Sequence, residues 1–239
     1  MAKSLHEWVE TDVSKVRDRS VRWLSERHFF RDPLRPVYSD PDYFYSPADG
    51  IIIYQRIVQP DESLVEIKGR NYSLREAMRN PDYSQESLVI GIFMTFYDVH
   101  VNRIPYSGVV THQELEPVES YNRPMLAMEE SIVNDLRVDH DHAAYLHENQ
   151  RVLNRIYSWE LGMNYYLLQI ADYDVDSITP FDMGKHRSYN QNARFSQIRF
   201  GSQVDLIIPL SDRHNFETME EEGTHVEAGI DTLLKITEK

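Results

Sequence analysis

Three segments of the chain carry residue types that can perform nucleophilic and acid–base chemistry. Asp49 lies in a Pro/Gly turn before an apolar run, His100 follows a strongly apolar run, and Ser202 follows Gly201 inside a third. A serine hydroxyl becomes a nucleophile when a base removes its proton, and a histidine can be that base while a carboxylate orients its ring. These residues would supply a nucleophile, a base and an acid if the fold brings them together.

Each segment also has a plainer structural interpretation. Asp49-Gly50 is a common turn pair. His100 is equally compatible with a hydrogen-bonded core histidine, and the Gly201–Ser202 pair with a β-bulge or bend in one long strand. No single segment decides between chemistry and structure.

Taken in order, the three segments resemble the phosphatidylserine decarboxylase family, most closely its short bacterial and archaeal branch. They are SPADG (46–50), GIFMTFYDVHVNRIPYSG (91–108) and IRFGSQVDLIIP (198–209). Weaker supporting matches are FFRDPLRP (29–36), IKGRNYSL (67–74), HENQR (147–151), LQIA (168–171) and VEAGIDTLL (226–234). The resemblance covers about residues 28–210 and the C-terminal tail.

The resemblance implies a proenzyme that cleaves itself between Gly201 and Ser202, giving fragments 1–201 and 202–239. His100 would take the proton of Ser202, and Asp49 would hold the histidine tautomer. Ser202 would become a pyruvoyl group, the only cofactor, with no metal required. That group would form a Schiff base with a small amine-carboxylate substrate and accept electrons as carbon dioxide leaves. The resemblance also implies a homodimer.

Two residues depart from the family pattern close to this chemistry. Tyr97 stands where the longer bacterial and mitochondrial branch has a second histidine, so the proton delivered after decarboxylation needs another source, either Tyr97 or water. Gln203 follows the Gly-Ser pair where Arg, Ser or Thr is more usual. A non-enzymatic descendant that stays uncleaved and binds a metabolite or a protein is the alternative function.

The substrate is left open by an acidic run. Asp172, Asp174 and Asp176 stand where short-branch enzymes often carry an arginine pair. Carboxylates there would repel a phosphodiester headgroup. We therefore expect a soluble amino acid or conjugate slightly more than phosphatidylserine itself.

Residues 119–147 look like an insertion relative to the short branch. They contain His140, His142 and His147 beside carboxylates, a composition that metal sites use. The spacing matches no metal motif, and a solvated loop or helix over the active site is the expected alternative, so no metal ligand is assigned.

Composition limits the classes of partner. The net charge is −14, with no basic face for nucleic acid or anionic lipid, and the chain has no cysteine. The most apolar stretch, residues 88–97, is about half the length of a membrane-spanning helix. We expect a cytoplasmic protein without a membrane span.

The elements that must position these residues follow from apolar periodicity. Residues 4–27 predict one amphipathic helix within an N-terminal segment 1–30, and residues 125–136 a second helix. Ser73 is expected to cap a short helix at 73–79. Strands are predicted at 51–58, 63–67, 88–97, 108–115, 152–159, 165–170 and 197–209, with two more around a Gly229 turn. The whole chain, 1–239, is predicted to be one α+β domain with a β-rich core of two packed antiparallel sheets, sandwich-like.

Overall fold

A computed structural model describes residues 2–115, 121–173, 177–182, 186–199 and 201–239. Its strands are β1 (Lys3–Ser4), β2 (Tyr43–Tyr45), β3 (Gly50–Val58), β4 (Ser63–Ile67), β5 (Arg70–Ser73), β6 (Ser87–Met94), β7 (Val101–Arg103), β8 (Gly108–Leu115), β9 (Arg151–Ser158), β10 (Met163–Ala171), β11 (Ile178–Pro180), β12 (Arg187–Tyr189), β13 (Arg194–Ile198), β14 (Ser202–Pro209), β15 (His214–Thr218), β16 (Thr224–Val226) and β17 (Thr232–Glu238). Its α-helices are α1 (Leu5–Thr11), α2 (Val21–Trp23), α3 (Leu74–Met78), α4 (Leu126–Val133) and α5 (Tyr145–Glu148).

One antiparallel sheet of nine strands organises the chain. Its strand order is β1-β16-β3-β6-β14-β10-β9-β8-β12. Strands β6 and β14 lie near its middle, and every residue of both is buried. Continuous apolar runs such as Leu88–Met94 predict this, because a strand covered on both faces has no side that must be polar.

The two faces of the sheet are covered by different kinds of element. The helices pack on one face, where Met128 of α4 and Tyr145 of α5 join Ile51 and Phe93 of the sheet in one core cluster. Two three-stranded sheets, β11-β13-β7 and β15-β17-β2, cover the other face. The prediction of a β-rich α+β domain with packed antiparallel sheets is confirmed.

The N-terminal segment corrects the prediction of a single helix over residues 4–27. Helix α1 ends at Thr11, a 3₁₀ turn follows at Val13–Lys15, and α2 continues as a π-helical turn at Leu24–His28. Ser20 caps a new helix by accepting a hydrogen bond from the amide of Trp23 at 3.2 Å. Val21, which the predicted stripe would bury, is 81% exposed. Leu5, Trp8 and Val13 are buried in the core. The apolar residues that follow at helical spacing, such as Val21, do not pack against it.

Most other local predictions are confirmed. Ser73 caps α3 through the amide of Glu76, and Arg79 ends it in the left-handed conformation at φ 46°.

The predicted strand at 197–209 is interrupted, since β13 ends at Ile198 and β14 begins at Ser202. No helix in the described part of the chain has both the length and the apolar character that crossing a bilayer requires.

Candidate active site

Ser202 is the first residue of β14 and lies at the end of the central sheet. It pairs with Met94, the last residue of β6, and both are fully buried. The serine Oγ donates to the Met94 Sδ at 3.3 Å. A thioether is a weak acceptor, so this hydroxyl is not held by a strong partner.

Gly201 is in tight contact with a carboxylate. A Cβ on Gly201 would lie 2.8 Å from Oδ2 of Asp172 and 3.9 Å from the Cβ of Met125. The other oxygen of Asp172 accepts the Met125 amide at 2.7 Å, at the start of α4. A side chain at 201 would therefore force the Asp172 carboxylate to move, whereas glycine leaves room for it.

His100 is fully buried, and its hydrogen bonding defines its tautomer. Its Nδ1 lies 3.1 Å from the carbonyl oxygen of Asp98. A carbonyl only accepts, so the ring proton is on Nδ1 and the lone pair is on Nε2. Nε2 is buried and has no hydrogen-bond partner among the described residues. Burial lowers the pKa of His100 to about 4, which keeps the ring neutral at pH 7.

Two contacts connect the His100 segment to Ser202. The amide of Ile198 donates to the carbonyl of His100 at 3.2 Å. Asn102, two residues further on, places its Nδ2 3.6 Å from the same Met94 sulfur that the serine hydroxyl meets. His100 and Ser202 thus lie at the same end of the sheet, although no hydrogen bond joins their side chains.

Asp49 does not orient His100 as the sequence led us to expect. Its carboxylate forms a bidentate ion pair with Arg35, with both N–O distances 2.6 Å, and accepts the Ala228 amide at 2.8 Å. The backbone carbonyl of Asp98 instead occupies His100 Nδ1. Asp49 remains close enough for its charge to favour protonated His100, but it holds the neighbouring chain segments rather than the ring.

The turn that carries Asp49 depends on Gly50. Gly50 has φ 150°, and a Cβ there would lie 2.2 Å from the carbonyl oxygen of Phe93. Any other residue would collide with the backbone of β6. Gly50 is therefore needed both for the conformation of the turn and for the close approach of β3 to β6.

Arg31 and Arg35 are site residues that the sequence analysis did not single out. Arg31 donates to the carbonyls of Tyr97 and Asp98, the latter at 3.2 Å. Phe29 packs its ring on His100 with centroids 4.0 Å apart. All three residues lie in segment 29–36, which resembles the family pattern. Its two arginines were the signal that could have marked it as part of the site.

Asp98 and His225 form a second buried acid–histidine pair that the sequence did not reveal. His225 Nε2 lies 2.7 Å from Asp98 Oδ1, while Asp98 Oδ2 accepts both the amide and the hydroxyl of Thr95 at 2.8 Å. Trp8 of α1 stacks on the His225 ring at 4.6 Å. The pair joins the loop before His100 to β16 and to the N-terminal helix, three segments far apart in sequence.

A cavity of about 260 Å³ lies beside these groups. Its lining is rich in charged and titratable side chains, namely Lys3, Asp12, Lys15, His28, Arg31, Arg35, Asp49, Tyr97, Asp98, His225 and Glu227. Lys3 and Arg35 are paired with the carboxylates Asp12 and Asp49. Arg31 has no carboxylate within ion-pair distance among the described residues. The cavity wall therefore offers one guanidinium that carbonyls alone hold.

The acidic run does not oppose this cavity in the way the sequence suggested. Asp172 is buried against Gly201 and the start of α4, and it is not part of the cavity lining. Asp174 and Asp176 lie outside the described residues. Of the three aspartates expected to repel a phosphodiester, only Asp172 is described, and it does not face this cavity.

The three histidines of residues 119–147 have separate partners. His147 Nδ1 lies 2.7 Å from Glu76 Oε1, His142 is 3.8 Å from Asp139, and the His140 ring lies 6.5 Å from that of Tyr54. Among the residues the model describes, no three His, Asp or Glu side chains converge as metal ligands.

Gln203 points to the opposite face of the sheet from Ser202. Its amide oxygen accepts from Tyr145 at 2.7 Å, and its Nε2 donates to Asp205 at 2.6 Å and to Tyr54 at 2.8 Å. Tyr145 belongs to α5. Gln203 is thus hydrogen-bonded on the helix side of the sheet and points away from the Ser202 side chain.

Together these groups have the chemistry that acyl transfer onto a serine requires. A weakly held hydroxyl, an unprotonated ring nitrogen and an uncrowded glycine carbonyl lie at one buried strand end. This is the combination that serine nucleophiles require. Buried carboxylates and arginines around them fix the surrounding loops.

Comparison with known proteins places this site in a family. A model of the phosphatidylserine decarboxylase family matches residues 27–233. The chain therefore belongs to the phosphatidylserine decarboxylase family.

Individual relatives agree with that assignment. The chain is 32% identical over 183 residues to the phosphatidylserine decarboxylase proenzyme of Erythrobacter litoralis, an alignment that covers 76% of this chain and 62% of the relative. It is 29% identical over 184 residues to the proenzyme of Ehrlichia chaffeensis, covering 77% and 65%. For Prosthecochloris aestuarii the values are 26% over 217 residues, covering 89% and 78%. The chain thus spans less than two thirds of the first two relatives.

Proposed function

We propose that this protein is a self-processing decarboxylase that cleaves its own Gly201–Ser202 bond and acts on an amine-carboxylate substrate. The observation that carries the proposal is the unpartnered Nε2 of His100 at the strand end where Ser202 lies. A buried ring nitrogen that accepts no hydrogen bond destabilises the fold, so its presence calls for an explanation. A role as the acceptor of the serine proton provides one.

Processing assigns a role to each group in this chain. His100 Nε2 takes the proton of Ser202 Oγ, which must turn away from Met94 to reach it. The oxygen then attacks the carbonyl carbon of Gly201, the peptide C–N bond breaks, and the Ser202 nitrogen takes up a proton, which leaves an ester between the two parts of the chain. Loss of the Ser202 α-proton to water expels the Gly201 carboxylate by β-elimination. Water then replaces the nitrogen of residue 202, which leaves as ammonia. The Asp98 carbonyl keeps the His100 proton on Nδ1, so that Nε2 stays available throughout.

The residues at the new N-terminus fit a pyruvoyl group made from Ser202. Such a group supplies a carbonyl that combines with an amine and withdraws electrons from the bond to the departing carboxylate. The buried strand β14 keeps this terminus at the sheet end, next to the loop of Tyr97 and Asp98. Arg31 beside that loop supplies positive charge for a substrate anion.

The names of the relatives, and Arg31 in the cavity wall without a carboxylate at ion-pair distance in the described chain, favour phosphatidylserine as the substrate. A phosphodiester and a carboxylate both suit a guanidinium. A free amino acid offers only the carboxylate, and it would use the same amine chemistry. The homodimer and a cytoplasmic location stay predictions.

Intact-mass analysis of the purified protein tests the processing step. We expect two fragments, 1–201 and 202–239, the second with a blocked N-terminus, while Ser202→Ala stays full length. A wild-type chain that remains uncleaved after prolonged incubation at neutral pH would instead support the uncleaved binding protein.

The substrate is tested by carbon dioxide release from processed protein. Phosphatidylserine in detergent micelles and a panel of free L-amino acids are supplied separately. Turnover of the lipid alone is expected. Turnover of an amino acid alone would show that Arg31 serves a carboxylate rather than a phosphodiester.

A further inference from the structure

A buried carboxyl group lies one helical turn from Met125, the residue that contacts Gly201, and has no part in the processing chemistry. Glu129, in the first turn of α4, is only 8% exposed. Its Oε1 accepts the backbone amide of Phe96 at 3.2 Å, and no other described residue donates to this carboxyl. It has no cation within ion-pair distance in the described chain.

Helix α4 places this carboxyl beside the residues that react. Met125 and Glu129 are four positions apart and share one helix face. Met125 packs beside Gly201, and Asp172 holds its amide. Glu129 meets Phe96, which follows the Met94–Thr95 end of β6 opposite Ser202 and Gly201. One face of α4 therefore covers the end of β14 where the new N-terminus would form.

The groups that face Glu129 keep its proton in place. They are the carboxylates of Asp98, Asp172 and Glu130, with the phenol of Tyr97 nearby. Burial and these negative charges raise the pKa of Glu129 to about 8, so it is mostly protonated at pH 7. His100 is unprotonated there, and burial raises the pKa of Tyr97 above its ordinary value, which makes the phenol a weaker acid.

We propose that Glu129 is a catalytic acid that delivers a proton to the substrate carbon after carbon dioxide leaves. The inference rests on the proposed function. The C–C bond to the carboxylate breaks, its electron pair remains with the substrate, and that pair forms a C–H bond with the proton of Glu129. The Glu129 carboxylate then regains a proton from solvent, so one proton is consumed for each carbon dioxide released. Glu129 would then be the proton source that the sequence analysis assigned to either Tyr97 or water.

The first test examines the proton itself in uncleaved protein. Infrared difference spectra compare Ser202→Ala with the double variant Ser202→Ala/Glu129→Gln at pH 7. We expect a protonated-carboxyl C=O band that is present only when Glu129 is present and that titrates away above about pH 8. The same band should persist in Ser202→Ala/Glu217→Gln, because Glu217 is exposed and is not among the charges that act on Glu129. A spectrum without the band at pH 7 overturns the proposal.

The second test separates Glu129 from processing. Glu129→Gln is nearly isosteric, so it should cleave into 1–201 and 202–239 like the wild type. Its release of carbon dioxide from whichever probe the wild type turns over, phosphatidylserine micelles or free L-serine, should fall at least ~100-fold, the scale of general acid catalysis. The wild-type loss of rate above about pH 8 should disappear in this variant.

The outcomes distinguish the two proposals. An uncleaved or inactive wild type defeats the proposed function. A wild type that is cleaved and active, beside a Glu129→Gln variant within ~10-fold of it, defeats the role of Glu129 alone. Glu217→Gln, the matched surface control, should stay within about twofold of the wild type.

Discussion

Asp49 and Glu129 are two buried carboxyl groups near the same strand end, and their surroundings are opposite. Asp49 accepts two N–H groups of Arg35 and the Ala228 amide. Glu129 accepts one backbone amide and faces other carboxylates. A carboxylate with a bidentate cation is held charged, whereas one without a cation is held as the neutral acid. The comparison shows that the same functional group is a charged structural anchor at Asp49 and a neutral acid at Glu129, because their partners differ.

The sharpest way to break this comparison is to remove the charge of Asp49. Asp49→Asn leaves the Arg35 guanidinium buried and uncompensated, since both side chains are under a tenth exposed. We expect a loss of about 3–5 kcal/mol in the free energy of unfolding. Urea unfolding of the uncleaved Ser202→Ala protein measures it. A loss below about 1 kcal/mol would mean that the ion pair does not anchor the turn.

Removing the ionisable group of Glu129 is expected to raise the free energy of unfolding at high pH, whereas Asp49→Asn lowers it. Its folded pKa, about 8, lies above the ordinary value of 4.5. The native state therefore binds more protons than the unfolded chain, and stability falls as pH rises from about 4.5 to 8. Glu129→Gln should abolish that fall and raise the free energy of unfolding at pH 9 by about 4 kcal/mol relative to its parent, with little difference at pH 4. Equal effects at the two pH values would contradict a buried neutral acid.

His100 adds a titration of the opposite sign. Its folded pKa, about 4, lies below the ordinary value of 6.5. The unfolded chain binds the additional proton, so stability falls as pH decreases from about 6.5 to 4. The loss is on the order of 3 kcal/mol. His100→Gln in the Ser202→Ala background should flatten the stability profile in that window, and an unchanged profile would show that the ring is not buried neutral.

The smallest expected effect comes from the face of β14 opposite the nucleophile. Tyr145→Phe removes the donor to Gln203 Oε1 and should cost about 1–2 kcal/mol. Cleavage at Gly201–Ser202 should proceed at the wild-type rate, because Gln203 points away from Ser202. Tyr121→Phe, at an exposed position, is the matched control and should change neither quantity. Slower cleavage in Tyr145→Phe alone would show that the two faces are coupled.

Local sequence patterns predicted much of the fold and supplied the candidate nucleophile and base. The apolar runs located β3, β6 and β14, since a central strand must be apolar on both sides. Ser73 marked the start of α3. The order of the three motifs brought Ser202 and His100 into one hypothesis.

The N-terminal helix shows where periodicity fails. Apolar spacing near 3.6 residues continues to Leu24, but burial ends at Val13. Spacing specifies which residues share a face, and only the tertiary structure decides whether anything lies against that face. The exposed Val21 is the result.

The hydrogen bonding of the site was decided by tertiary structure. The sequence determined that Asp49, His100, Gly201 and Ser202 are present in the family order. It did not determine that Arg35 neutralises Asp49, or that the Asp98 carbonyl orients His100. A backbone carbonyl is present at every residue, so no pattern of side chains singles one out.

Protonation states depend on the tertiary structure for a more general reason. Glu129 and Glu130 are adjacent and chemically identical in the sequence, yet one is buried against Phe96 and the other faces solvent. The free energy of a charge depends on the water and the opposite charges around it, and those come from segments distant in sequence. The sequence therefore determined which groups can react, and the packing of α4 against the end of β14 decided which of them holds a proton.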